Sequence, residues 1–185
     1  MYGMVNQAVE SLVRSRFGDD AWETIKRKAG VDVEVFVSNH GYSDDVTYQL
    51  VDAASEVLGL PPDDVLHAFG EYWVLVTARE GYGHLMSAGG NTLAEFLTNL
   101  PDFHTRVALL FPDLRPPRFA YSDSSPDGLT LHYFSHRPGL AAFVKGLLSG
   151  LGKMYDTPIS VTQTAVKADG ADHDEFAVRW GTAAA

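Results

Sequence analysis

Leu129-Thr130-Leu131-His132-Tyr133-Phe134-Ser135-His136 is the stretch that decides the fold. It reads as a strand, and Arg118 to Ser122 just before it reads as another, with the turn residues Ser124 to Gly128 between them. Pro138 then opens an amphipathic helix carrying Leu140, Phe143, Val144, Leu147, Leu148 and Leu151. Ile159, Val161 and the residues after them form a third strand, Ala168 to Asp174 a turn, and Phe176 to Trp180 a fourth strand. Upstream of Pro116-Pro117 the texture is helical. Val5, Ala8, Val9, Leu12 and Val13 recur at helical spacing up to Gly18, and a short helix runs from about Ala21 to Ala29. The alternating valines at 31, 33, 35 and 37 are read as an extended linker. Ser43 caps a helix with Val46, Leu50, Ala54, Val57 and Leu58. Pro61-Pro62 and two aspartates start the next, with Val65, Leu66, Phe69, Trp73 and Val76. Gly81, Gly83, Gly89 and Gly90 mark turns, a short helix covers about Thr92 to Leu97, and Pro101 starts another, with Phe103, His104, Val107 and Leu110 near one face. Helices followed by strand, strand, helix, strand, strand give an α+β class: an N-terminal helical lobe, about 1–62, and a lobe with a four-stranded antiparallel sheet, about 63–180. Residues 181–185 form a tail.

The chain has 185 residues, enough for one sizeable core without a disulfide or metal staple. It has no cysteine, which excludes a disulfide scaffold, thiolate-bound metal and a cysteine nucleophile. The net charge of −10 speaks against nucleic acid or an anionic membrane as partner. No run approaches the roughly 20 apolar residues of a membrane span, and Met1 to Phe17 lacks the form of a signal peptide, so a cytoplasmic protein is expected.

On a strand, Tyr133, Ser135 and Arg137 share a face. That polar row can grip a carboxylate or phosphate, although alternating polar residues are equally the ordinary solvated face of an antiparallel strand. His104 sits among Phe103, Val107 and Leu110. A neutral histidine in such a setting can be an axial ligand for heme iron, and a lone histidine is more often no ligand at all. Trp73 and Phe69 fit a core by periodicity, and Pro116-Pro117 fits a connector. No HExxH pairing, catalytic triad order or phosphate-binding glycine loop is present, and His132 and His136 make no metal site with the polar row.

From Met1 to about Trp180 the chain resembles the heme–nitric oxide/oxygen binding (H-NOX) domain, related to the heme domain of soluble guanylate cyclase. The resemblance rests on Met1-Tyr2-Gly3, Phe69-Gly70-Glu71-Tyr72-Trp73, His104 in Leu100-Pro101-Asp102-Phe103-His104, Arg115-Pro116-Pro117, and Tyr133-x-Ser135-x-Arg137, in that order. It implies a heme b between the two lobes, His104 as proximal iron ligand, Tyr133, Ser135 and Arg137 on the propionates, and Pro117 pressing on the porphyrin. Oxygen-binding relatives carry a distal tyrosine on the helix after the motif. The matching position here falls at Ala142, beside Phe143, and neither has a hydroxyl. Val5 and Val9 would line the same pocket without donors, and Trp73 would bring an indole N–H. The resemblance therefore implies a non-catalytic sensor of nitric oxide and carbon monoxide that excludes oxygen. It would signal through loss of the bond between His104 and iron to a separate histidine kinase, diguanylate cyclase or phosphodiesterase. The alternatives are an oxygen-binding heme protein, a heme peroxidase or nitric oxide dioxygenase, or a heme carrier.

Overall fold

The computed structural model describes residues 1–110 and 115–181. Helix α1 spans Gly3–Phe17 and α2 Asp19–Lys28, with Gly18 between them at φ 86°. Glycine takes that left-handed backbone without a Cβ clash, so the chain reverses there in one residue. The aspartates that open α2 and the basic residues that close it complement the helix dipole. Residues 31–37 form no strand: Phe36 is buried while Val35 and Val37 face solvent, as in the linker expected. Helix α3 spans Asp44–Leu58, and the Ser43 hydroxyl accepts a hydrogen bond from the Asp45 N–H at its start.

Two features of the middle of the chain correct the sequence reading. Helix α4 (Pro62–Tyr72) does not stop near Val76. It passes through a π-helical stretch, Trp73–Ala78, into α5 (Arg79–Ser87), which contains Gly81 and Gly83. Extending a formed helix costs far less than nucleating one, so two glycines are carried along. The only irregularity inside α5 is Tyr82, at φ −139° and ψ 26°. The two short helices expected around Thr92 and Pro101 are one, α6 (Leu93–Leu110), with Pro101 inside it. Leu93, Phe96, Leu97 and Leu100 on its first three turns are all buried, and that packing outweighs the hydrogen bond Pro101 forfeits. The expected place of the Leu110 side chain falls outside the described residues, as do tail residues 182–185.

The sheet has strand order β1-β2-β4-β3, antiparallel throughout, from β1 (Arg118–Ser125), β2 (Gly128–Phe134), β3 (Ile159–Ala165) and β4 (Asp174–Trp180). Helix α7 (Ala141–Met154) connects β2 to β3 and starts three residues beyond Pro138. Two buried clusters result. One gathers α1 to α4 around Trp22, Ile25, Phe36 and Leu50; the other packs α6, α7 and the inner face of the sheet around Leu97, Leu131, Leu148 and Phe176. The architecture is α+β. Helices α4 and α7 join the clusters, and they meet backbone to backbone. A Cβ on Gly146 would lie 2.1 Å from the His67 carbonyl oxygen, and one on Gly70 would lie 2.2 Å from that of Phe143. No helix among the described residues is long and apolar enough to cross a membrane.

Candidate functional site

Between the two clusters lies a cavity of about 270 Å³, walled by α1, α3, α4, α6, α7 and the first two strands. Its wall is overwhelmingly apolar: Met4, Val5, Phe69, Val74, Leu100, Phe119, Leu140, Phe143 and Leu147 all contribute. The wider turn of the π-helical stretch brings Trp73, Val74 and Ala78 onto this wall. Such stretches are rare and concentrate at functional sites.

His104 projects from α6 onto the cavity wall. Its Nδ1 lies 3.1 Å from the Leu100 carbonyl oxygen. A carbonyl only accepts, so Nδ1 carries the proton and Nε2 carries a free electron pair. Desolvation pushes the pKa down to about 4, against the smaller opposing effect of the Leu100 hydrogen bond. The ring packs against Phe119 at 4.7 Å and Phe103 at 5.6 Å between centroids. A neutral, oriented imidazole has the chemistry that a metal ligand needs.

The polar row is assembled differently from the expectation. β2 ends at Phe134, so Tyr133, Ser135 and Arg137 do not share one strand face. Ser135 turns the chain instead, its Oγ accepting from the Arg137 backbone N–H at 3.0 Å, because a short hydroxyl competes with sheet pairing for nearby amides. Tyr133 and Arg137 reach the cavity; Ser135 supports them from the turn. Tyr133 is buried, and burial raises its hydroxyl pKa, partly opposed by a hydrogen bond with Ser135 and by the charge of Arg137. The Arg137 guanidinium donates to both Asp44 oxygens, at 2.8 and 3.3 Å, and to the Arg115 carbonyl at 3.0 Å. Asp44 also accepts from the Met1 amine at 2.6 Å. Burial works to raise the Asp44 pKa, but hydrogen bonds and charges of Arg137 and the amine outweigh it and hold the carboxyl below its usual value. A fork-shaped cation at the rim of an apolar cavity suits a carboxylate.

Pro117, Val5, Trp73 and Phe143 line the cavity. Val9 and Ala142 do not, which corrects their expected place. Val9 is buried in the helical cluster, and Ala142 packs against that cluster. On α7 and its N-terminal flank the cavity-lining positions are Leu140, Phe143, Val144, Leu147, Leu148 and Leu151, at helical spacing, and Ala142 falls off that stripe. Arg115, Tyr48 and Tyr82 also line the cavity and were not anticipated. Tyr82 was hidden because the glycines on either side of it read as turns; Arg115 stood in a quoted motif without a role.

Taken together, a neutral imidazole, an apolar cavity and the guanidinium groups of Arg115 and Arg137 among its lining residues make up a site suited to an apolar ligand with acidic substituents. The sequence profile of the Haem-NO-binding family matches residues 2–163, and the chain belongs to that family. Soluble guanylate cyclase gcy-32 of Caenorhabditis elegans is 32% identical over 166 residues, 87% of this chain and 24% of its own length. Soluble guanylate cyclase gcy-35 of the same organism is 31% identical over 86% of this chain and 24% of its own length. The chain thus spans about a quarter of these relatives. Among solved structures, an H-NOX protein from S. oneidensis in the Fe(II)NO state superposes with a TM-score of 0.88 at 21% identity, covering 98% of this chain and 100% of that one. Unliganded Fe(II) H-NOX from K. algicida gives 0.85 at 22% identity, covering 98% of this chain and 97% of that one. The family is one of heme-based gas sensors. The residues present fit that group in their chemistry: a histidine whose Nδ1 is taken up by the Leu100 carbonyl, an arginine and a tyrosine all line one apolar cavity.

Proposed function

We propose that this chain is a heme b sensor of nitric oxide and carbon monoxide that discriminates against oxygen. The observation that carries the reading is the fixed tautomer of His104, which leaves Nε2 unprotonated on a residue that lines an apolar cavity. His104 would ligate the iron, and Tyr133, Ser135 and Arg137 would hold the propionates. When bound, the group supplies a ferrous iron that binds diatomic gases. The rest of the device lies in the chain. Leu100, one turn before His104, anchors the ring to its own helix, so any release of His104 is felt by α6 as a whole. Pro117 lies on the same wall and resists movement of whatever it touches, since its ring fixes the backbone. The lobes about 1–62 and 63–180 meet through Asp44 and Arg137, so a shift of α6 and the Arg115–Pro117 segment is transmitted to α3. A gas can drive such a shift only through different affinity for the two arrangements. The readout belongs to a separate partner of the histidine kinase, diguanylate cyclase or phosphodiesterase kind, in the cytoplasm. Cyclase domains carry that part in the longer relatives.

Absorption spectra of the reduced, purified protein under nitrogen, in air and with nitric oxide test the reading. A heme spectrum that ignores brief air and shifts with nitric oxide supports it. A stable, reversible change in air refutes the selectivity. Failure to take up heme on reconstitution refutes the cofactor. His104→Gly is expected to lose tight heme retention, and added imidazole to restore it.

One observation favours a second reading, an oxygen binder: the Trp73 indole and the Tyr82 hydroxyl both belong to residues of the cavity wall.

A further inference from the structure

On the outer face of the sheet, away from the cavity, His132, His173 and Glu175 bring three ligand atoms together. The separations are 2.8 Å between His132 Nδ1 and His173 Nε2, 3.2 Å between His132 Nδ1 and Glu175 Oε1, and 3.3 Å between His173 Nε2 and Glu175 Oε1. The sheet builds this cluster. His132 on β2 is directly opposite Glu175 on β4, and His173 is two residues before Glu175, so all three point to one side. That side is opposite to Leu131 and Tyr133, which face the core.

The protons on the two rings follow from their other neighbours. His173 Nδ1 bonds the Asp172 carboxylate, which only accepts, so Nδ1 carries the hydrogen and Nε2 a lone pair. Ser122 donates its one hydroxyl hydrogen to Asp123 Oδ2 at 3.0 Å. The same hydroxyl lies 2.9 Å from His132 Nε2 and can accept from it in the tautomer that places the His132 lone pair on Nδ1. Two ring nitrogens and a carboxylate oxygen thus converge on one point, where a single hydrogen on His132 Nδ1 bridges to His173 Nε2 in the absence of a cation. A cation entering that point displaces the bridging hydrogen, which His132 then carries on Nε2 towards Ser122. The outer hydrogen bonds, one to a carboxylate and one to a hydroxyl, are those that orient histidine ligands at metal centres. His173 is further held flat on Phe134, 4.1 Å away at 24°, and Arg118 covers that ring at 3.5 Å.

We propose that His132, His173 and Glu175 form a zinc site that clamps the start of β4 to β2, with its fourth position open to water or to a partner's side chain. Nitrogen and oxygen ligands at the usual zinc distances stand about 3.3 Å apart around a tetrahedron. Two of the three separations match, and the third needs the rings to part by about half an ångström. Two imidazoles and one carboxylate suit zinc by ligand type, and half-burial leaves a path for the ion.

The test is calorimetric titration of Zn²⁺ into the purified protein, stripped of loose metal by chelator and with its cavity group left in place. One equivalent is expected to bind, with zinc-edge X-ray absorption showing only nitrogen and oxygen neighbours at about 2.0–2.2 Å. His173→Gln and Glu175→Gln are expected to abolish it, and Asp172→Asn to weaken it about 10–100-fold while the ligands remain. Circular dichroism confirms that each variant is folded, and exposed His84→Gln serves as the control that keeps binding. Absence of binding by the folded wild-type protein overturns the proposal. So does zinc binding that survives both ligand substitutions, which would place the ion elsewhere.

Discussion

Protonating His104 is the perturbation with the clearest calculated consequence. The folded protein holds its pKa at about 4, against about 6.5 in an unfolded chain. Between those values the unfolded state binds the proton and the folded state does not, so the folded state loses stability as pH falls from 6.5 towards 4, and the loss is complete below about 4. The full difference is about 3 kcal/mol, and about 2 kcal/mol of it is already lost at pH 5. Urea unfolding of the heme-free protein at pH 7 and pH 5, compared with His104→Gln, isolates the effect. Glutamine can still donate to the Leu100 carbonyl but does not titrate. Other groups titrate alike in both proteins and cancel in the double difference. The wild type should lose about 2 kcal/mol more than the variant, a midpoint shift of about 1 M urea. Equal pH dependence in the two would mean that His104 is not held neutral by burial, and the case for a preformed ligand nitrogen would fall with it. The same shift implies that protons do not compete for Nε2 at any pH above about 5.

The contact between α4 and α7 gives a stability prediction. Gly146→Ala forces a methyl against the His67 carbonyl and should destabilise by about 1–3 kcal/mol despite alanine's higher helix propensity. Gly81→Ala meets nothing within 4 Å and should stabilise by about 0.5–1 kcal/mol; thermal unfolding separates the two signs. Arg137→Gln leaves Asp44 with the terminal amine as partner and removes the cation at the cavity rim. Heme transfer to an apo-acceptor should then be faster by at least about tenfold, as expected for losing one charged hydrogen bond.

The order of the elements could be read from the sequence because it depends on local signals. Hydrophobic periods, the Ser43 cap and the glycine after α1 all act within a few residues. What the sequence concealed depends on partners far along the chain. Pro101 looked like a helix start because the burial of Leu97 and Leu100, which carries α6 through it, is a tertiary fact. β2 looked two residues too long because Ser135, a residue that fits the alternation, turns the backbone with its own hydroxyl. His104 was legible as a candidate only through the order of motifs around it; its tautomer and neutrality come from Leu100 and from burial. His132 had no visible partner in sequence, since His173 lies 41 residues away and only strand register joins them.

Gas selectivity turns on whether any donor of the cavity wall reaches the ligand. A polar bound gas gains about 1.5–3 kcal/mol from a hydrogen bond with charged character, which corresponds to about 10–150-fold in affinity. Carbon monoxide gains far less. Most polar groups of the wall are already aimed at the protein. The Tyr48 hydroxyl donates to the Pro138 carbonyl at 2.8 Å, and Thr47 donates to Asn6 at 2.6 Å. The Tyr82 hydroxyl points to Met4 Sδ at 3.5 Å. Trp73 packs edge-on against Phe69, 6.2 Å between centroids, and burial keeps Tyr82 a neutral phenol. Trp73→Phe and Tyr82→Phe are therefore expected to change oxygen and carbon monoxide affinity together, by less than about threefold, since the first trims packing and the second removes a hydroxyl directed at Met4, not at the ligand. A selective fall of tenfold or more in oxygen affinity in either variant would show that its donor serves the ligand. The apolar wall would then be a frame around one hydrogen bond, and the chain an oxygen binder.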